Sequence, residues 1–263
     1  MDERDANRGD FENVQQDTMS FPTGVFYDVE NDKVFVVDQG NNRVLIWNSL
    51  PRDAGQPADV VIGQKDFVSR SPNMGKGEGR ASQESMYFPN DVVAGKTGFF
   101  VSDTGNNRVL YWKEVPTENG QPADMVFGQA NFFDNRHNRN GQANATTLND
   151  PYGLWLEEEE NPEWVPPEEN ALEETQEEET LDESSSGEGE DTVEEEIPEY
   201  LFKLFIADRG NSRVAVWNEL PIPPTDESEG DEDDQIEIED PNLLIGDDDE
   251  EDEDDSPEEL PSV

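Results

Sequence analysis

The stretch "DTGNNRVLYW", Asp103 to Trp112, decides how this chain is read, because the chain spells it three times. "DQGNNRVLIW" stands 65 residues earlier, at Asp38 to Trp47, and "DRGNSRVAVW" occupies Asp208 to Trp217. A phrase that recurs at long spacing marks a repeat architecture, in which each unit buries its apolar face on a neighbour. The copies extend outward from the phrase. Unit one runs from "FPTGVFYDVENDKVFVVDQGNNRVLIWNSLP" at Phe21 to "GQPADVVIGQKDF", ending at Phe67. Unit two runs from "FPNDVVAGKTGFFVSDTGNNRVLYWKEVP" at Phe88 to "GQPADMVFGQANF", ending at Phe132. Unit three opens with "DPYGLWL" at Asp150, resumes as "YLFKLFIADRGNSRVAVWNELP" and closes on a shortened "PNLLIG" at Pro241–Gly246.

Each unit parses as four short strands. In unit one these are roughly Gly24–Asp28, Lys33–Asp38, Arg43–Asn48 and Ala58–Gly63, rich in Val, Ile, Phe and Trp and bounded by Gly, Asn, Asp and Pro. Four antiparallel strands repeated about an axis describe a β-propeller blade, and a linker of about 20 residues between units accounts for the long period. In the repeated phrase, Asp ends the second strand and "GNN" or "GNS" turns the chain, since Gly and Asn tolerate the left-handed backbone of a tight hairpin. The Arg that opens the third strand then lies within reach of the Asp. The sequence therefore predicts one structural turn in three copies: Asp38, Gly40, Asn41 and Arg43; Asp103, Gly105, Asn106 and Arg108; Asp208, Gly210, Asn211 and Arg213. In each, the carboxylate is expected to accept turn N–H groups and to pair with the Arg. Trp47, Trp112 and Trp217 recur at one position and are expected to pack between neighbouring units.

These residues resemble the NHL-repeat family of β-propellers. The matching marks are the openings at Pro22, Pro89 and Pro151, the strand endings "VVD", "VSD" and "IAD", and "GNNRV" or "GNSRV" after them. The "GQPADVVIGQKDF" tail is similar to that of bacterial NHL-type proteins. The resemblance implies an all-β fold of NHL-type propeller blades: three four-stranded blades in an incomplete ring, with acidic disordered insertions. It says little about role, because the family includes protein-binding scaffolds, RNA-binding modules, sensor domains and an amidating lyase. The lyase holds its metal with several histidines, whereas this chain has one, His137, in "DNRHNRNG". That setting reads as an exposed loop.

Charge divides the chain. Its formal net charge is -49 over 263 residues. Residues 1–150 hold 22 Asp+Glu against 14 Lys+Arg, whereas residues 151–263 hold 44 against 3. The first part reads as an ordinary globular segment, and the second carries acidic tracts that cannot pack into a core. Such a field repels phosphate backbones and anionic lipid, so nucleic acid and membrane surfaces are not expected partners. The absence of Cys excludes disulfides and Cys-based metal sites. "MDERDANRGDFENV" has no apolar h-region, so no signal peptide is read there, and no apolar run is long enough to span a membrane.

The expected organisation is an inter-blade-like linker at 1–20, a first blade with its linker at 21–87, a second at 88–149, and a third at 150–246. The third is interrupted by acidic insertions at 157–200 and 225–240 and followed by an acidic tail at 247–263. In an up-and-down blade both insertions leave from one face, and the linkers leave from the other with Lys65, Arg70, Lys76, Arg80, Arg136, His137 and Arg139. Since NHL propellers close with about six blades, three blades leave two open faces. Either two copies close a ring as a homodimer, another chain supplies blades, or the sequence is a fragment of a longer propeller. No cofactor is expected, and the acidic tracts suit only weak divalent-cation binding. Around Gly230 they depart from an EF-hand, because Thr225 stands where its first Asp belongs. Asn144-Ala145-Thr146 matches a glycosylation sequon and reads as chance. No catalytic residue is assigned. The expected function is a noncatalytic scaffold binding protein or peptide through loop faces, and the alternative is a metal-assisted, Ca-type lyase or lactonase-like enzyme.

Overall fold

The computed structural model describes residue 7 and residues 12–77, 79–164 and 198–221. All fall within the first of two compact units, Met1–Pro224. The second unit, Thr225–Val263, lies outside the described residues. So do most of the first acidic insertion, the second insertion, the tail, and the strand expected near Pro241–Gly246.

The described residues are all-β, with no α-helix among them. Sheet one contains β1 (Pro22–Asp28), β2 (Lys33–Asp38), β3 (Arg43–Trp47) and β4 (Val60–Ile62). Sheet two contains β5 (Pro89–Gly95), β6 (Gly98–Asp103), β7 (Arg108–Trp112) and β8 (Met125–Phe127). Sheet three contains β9 (Pro151–Glu160), β10 (Tyr200–Asp208) and β11 (Arg213–Trp217). All pairings within the sheets are antiparallel, in chain order. Registers repeat as well: Asp38↔Arg43, Asp103↔Arg108 and Asp208↔Arg213 close the three second hairpins.

β9 runs further than the sequence predicts. Its last residues, Glu157–Glu160, belong to the acidic run but pair in register with Lys203, Phe202, Leu201 and Tyr200. An anchor on the neighbouring sheet explains this. The Glu158 carboxylate accepts the N–H groups of Lys96 and Thr97 and the Thr97 hydroxyl, so it caps the β5–β6 turn of the neighbouring sheet. Glu157 lies 3.7 Å from Lys203 on the other face.

The sheets stack face on face. Between sheets one and two lie Phe35, Val37, Val44, Ile46 and Ile62 on one side and Val92, Phe99, Val101, Leu110 and Trp112 on the other. Between sheets two and three, Phe100, Val109, Tyr111 and Phe127 meet Leu154, Phe202, Leu204 and Ile206. Aromatic rings bridge both layers: Phe35 to Phe99 at 5.0 Å, and Phe127 to Trp217 at 5.8 Å. Each fully buried large side chain contributes about 1.5–3 kcal/mol. This two-sided burial explains why β6 and β7 are buried throughout: sheet two has neighbours on both faces. Among the described residues sheet three has a sheet on one face only, and β10 alternates accordingly, with Phe202, Leu204 and Ile206 inward and Leu201, Lys203 and Ala207 exposed. The first strands of the sheets adjoin, β1 beside β5 and β5 beside β9.

Candidate functional site

The recurrent residues assemble one polar pin per sheet. In sheet one Arg43 donates from Nε to Asp38 Oδ2 at 2.7 Å, with both side chains fully buried. Its NH1 donates to the Phe67 carbonyl, and its NH2 to the carbonyls of Gln15 and Thr18. Arg108 repeats the set, donating to Asp103 and to the carbonyls of Phe132, Ser82 and Ser85. Arg213 donates to Asp208 and to the carbonyls of Asn144 and Thr147. The guanidinium fork suits this task because its donors point in fixed, divergent directions. The pin ties the linker that enters each sheet to the hairpin, and in sheets one and two it also ties in the linker that leaves.

The Asp carboxylates pair with the Arg as expected, and the turn N–H that they accept comes from an Asn side-chain amide, their backbone donor lying elsewhere. Oδ1 of Asp38, Asp103 and Asp208 accepts the backbone N–H of Ser20, Tyr87 and Asn149, which belong to the incoming chain and not to the turn. Oδ2 accepts from the amide of Asn41, Asn106 or Asn211 and from the Arg. Burial pushes the Asp38 and Asp103 carboxyls above the ordinary aspartate value, while the guanidinium and the donated N–H groups pull them down. Each carboxylate is ringed by donors, so the anion is the form that this site accommodates.

The turn also divides its labour unexpectedly. It is a one-turn 3-10 helix over Gln39–Asn41, Thr104–Asn106 and Arg209–Asn211. The left-handed residue is the one after it, Asn42, Asn107 or Ser212, with φ of 54°, 54° and 52°. Gly40 and Gly105 are needed for space instead: a Cβ on Gly40 would lie 2.5 Å from the Ser20 hydroxyl, and one on Gly105 2.5 Å from the Tyr87 carbonyl oxygen. Asn42 and Asn107 have a further task. Their Oδ1 atoms accept the N–H of Phe88 and Asp150, at the entry to the next sheet.

Residues that the sequence reading did not single out complete the arrangement. Asn41, Asn106 and Asn211 form reciprocal amide pairs with the linker residues Asn7, Asn73 and Asn138. All three linker asparagines have φ between 46° and 49°. Gln64 and Gln129 donate to the carbonyls of Asn42 and Asn107, and onward to those of Ser71 and Arg136. The signal was present: Asn7, Asn73 and Asn138 are spaced at nearly the repeat period, and Gln64 and Gln129 are 65 residues apart.

The other singled-out residues lie apart from one another. Trp112 and Trp217 face the preceding sheet, and Trp47 takes the same place on sheet one, its Nε1 donating to the Gln56 carbonyl as that of Trp112 does to Gln121. His137 is exposed in a tight linker turn whose Asn138 is held by Asn211. Lys65, Lys76, Arg80 and Arg136 are exposed on the linkers, Arg70 pairs with Glu12, and Arg139 donates to the Gln129 carbonyl. Asn144 of the sequon sits in a linker turn, where its Oδ1 accepts the Thr146 N–H. Among the described residues no group of three or more His, Cys, Asp or Glu side chains is placed to hold a metal ion. Comparison with models of known protein families finds no match to this chain, and comparison with curated proteins finds none either.

Proposed function

We propose that the sheets are NHL-type propeller blades and that the chain is a noncatalytic interaction scaffold, binding protein or peptide through its linker loops. The propeller reading is supported by the repeated strand order, the adjoining first strands and the reuse of the same faces in both layers. The observation that carries the functional reading is the way the linkers are held. Arg, Asp and Asn groups of the pins hold the linkers at Asn73, Ser82 and Ser85 and at Asn138, Asn144, Thr147 and Asn149, and Lys76, Arg80, Arg136 and His137 project from these linkers into solvent. A rigid loop loses little conformational entropy when a partner docks, which is what a recognition surface requires. Of the two linkers only Asn135–Asn149 has a basic excess, Arg136 and Arg139 with no acidic residue, and there an acidic segment of a partner would dock locally, against the negative charge of the chain as a whole.

The test is binding to an array of acidic and neutral peptides. The scaffold reading expects at least one acidic peptide to bind, and the double variant Lys76→Glu, Arg136→Glu to weaken it at least tenfold without lowering the melting temperature. Binding that ignores the double variant, or none at all, counts against it. A stoichiometric micromolar Ca²⁺ site found by calorimetry, together with lyase or lactonase turnover, would replace it with the enzyme reading.

A further inference from the structure

We infer that Phe88 and Phe21 form an aromatic recognition site for a Lys or Arg side chain, and that a basic segment of a partner docks there. The argument starts from the backbone. Phe21, Phe88 and Asp150 each stand immediately before the proline that opens the first strand of a sheet, and their φ angles are 49°, 47° and 60°. This left-handed conformation opposes a bulky side chain, and a following proline restricts the residue further, toward extended values. The fold imposes it all the same. The Phe88 N–H donates to Asn42 Oδ1 and the Asp150 N–H to Asn107 Oδ1, so the preceding hairpin turn holds the position in both places.

The fold dictates the conformation there and not the side chain. Unit three fills the position with Asp, one of the types that tolerate a positive φ. Units one and two fill it with Phe, which tolerates it poorly, and leave much of the ring in water. Phe88 is 46% exposed and Phe21 36%. Phe88 opens the middle sheet, which has a sheet on either face, so its exposure does not depend on where the array ends. A strained backbone that presents its ring to solvent marks a contact surface, since strained residues cluster at sites that hold a ligand.

The two residues belong to one seam. β1 and β5 adjoin: the Thr23 hydroxyl donates to the Asn90 carbonyl, and a Cβ on Gly24 would lie 2.7 Å from Asp91 Oδ1. Phe21 and Phe88 occupy matching places, two residues before Thr23 and Asn90. Tyr87 braces the second ring, the two centroids lying 4.9 Å apart. Tyr87 in turn rests on Gly105 of the neighbouring turn, where a Cβ would come within 2.5 Å of its ring. Units one and three have Ser20 and Asn149 in its place.

Charge selects the ligand. The face of an aromatic ring attracts a cation. The chain carries a net charge of -49, and such a field draws cations toward it. Closer at hand is half-buried Asp91, three residues beyond Phe88 and roughly 10 Å along β5. Its carboxylate accepts the backbone N–H groups of Val92 and Leu154, and among the described residues no Lys or Arg pairs with it.

Titration of the full chain with a short peptide of alternating glycine and arginine, followed by the ring signals of Phe21 and Phe88 in nuclear magnetic resonance at physiological salt, tests the inference. Saturable shifts of both rings are expected. Phe88→Asn is the informative variant, because Asn accepts the backbone and removes the ring. It should melt no lower than the wild type and bind the peptide about fivefold more weakly. The same peptide with citrulline in place of arginine keeps the shape, loses the charge and should bind about tenfold more weakly. Ring signals that stay in place, equal binding by Phe88→Asn or by the citrulline peptide, or a lowered melting temperature in Phe88→Asn would each overturn it. The acidic-peptide assay reads Lys76 and Arg136 on the linkers, so either proposal can fail alone.

Discussion

At the residue scale the three pins are a graded series. Arg108 is fully buried and donates to one carboxylate and three carbonyls. Removing it leaves a buried Asp103 without its counter-charge, and breaking such a pair costs about 3–5 kcal/mol. Arg213 makes the same pair, but its side chain is 29% exposed, so water can replace part of what is lost. Chemical denaturation should therefore show Arg108→Ala to be far more damaging than Arg213→Ala. Equal losses would mean that the pins do not depend on burial. The left-handed residue gives a second test. Asn tolerates that backbone, but Ser212 stands where the other turns have Asn42 and Asn107, and it is exposed. Ser212→Gly should raise stability by about 0.5–1 kcal/mol, because glycine has no Cβ to oppose a positive φ. The same change at Asn107 should lower it, since the Asn107 side chain bonds Asp150 and Asn135.

At the scale of elements, the strands were legible and the linkers were not. Runs such as "KVFVVD" and "RVLIW" announce strands by composition, and β2 begins and ends where the sequence predicts. The Asp–Arg pairing was legible because five residues across a hairpin leave few other partners. The linkers were opaque because their order comes from distant side chains. Nothing local in "PNMG" reveals that Asn73 is gripped by Asn106, 33 residues on. The Glu157–Glu160 extension was hidden for a similar reason: its anchor, the β5–β6 turn, belongs to another sheet. One element contact carries a pH signature. Asp91, on the first strand of sheet two, accepts the N–H of Leu154 on the first strand of sheet three. Burial raises its carboxyl above the ordinary value of 3.8. A raised native value means that the folded state holds this proton more tightly than the unfolded chain does. Its contribution to stability therefore grows as pH falls through the native value and levels off below the unfolded one. The stability of the wild type relative to Asp91→Asn should shift in favour of the wild type over that window. A difference that is flat with pH would show that Asp91 is not desolvated in solution.

On the scale of the whole molecule, stability should follow the stacking order. A repeat array is held by each unit's own bonds plus its contacts with neighbours, so a unit with two neighbours outlasts a unit with one. Sheet two has both faces covered and every residue of β6 and β7 buried. Among the described residues sheet three has a sheet over one face, and β11 alternates between less and more exposed positions. Its hairpin pin is also the one open to water. Local opening free energies span from near zero to the global value, and they are lowest where few apolar contacts are lost on opening. The amides of β10 and β11 should therefore exchange faster than those of β6 and β7, with sheet one between them because its outer cluster is buried but fringed by half-exposed Met19, Val36 and Phe67. The order follows from the faces alone and needs no knowledge of a ligand. Uniform exchange across the three sheets would show that the chain opens as a single cooperative block, and that the pins between linkers and hairpins, more than the facing side chains, set its stability.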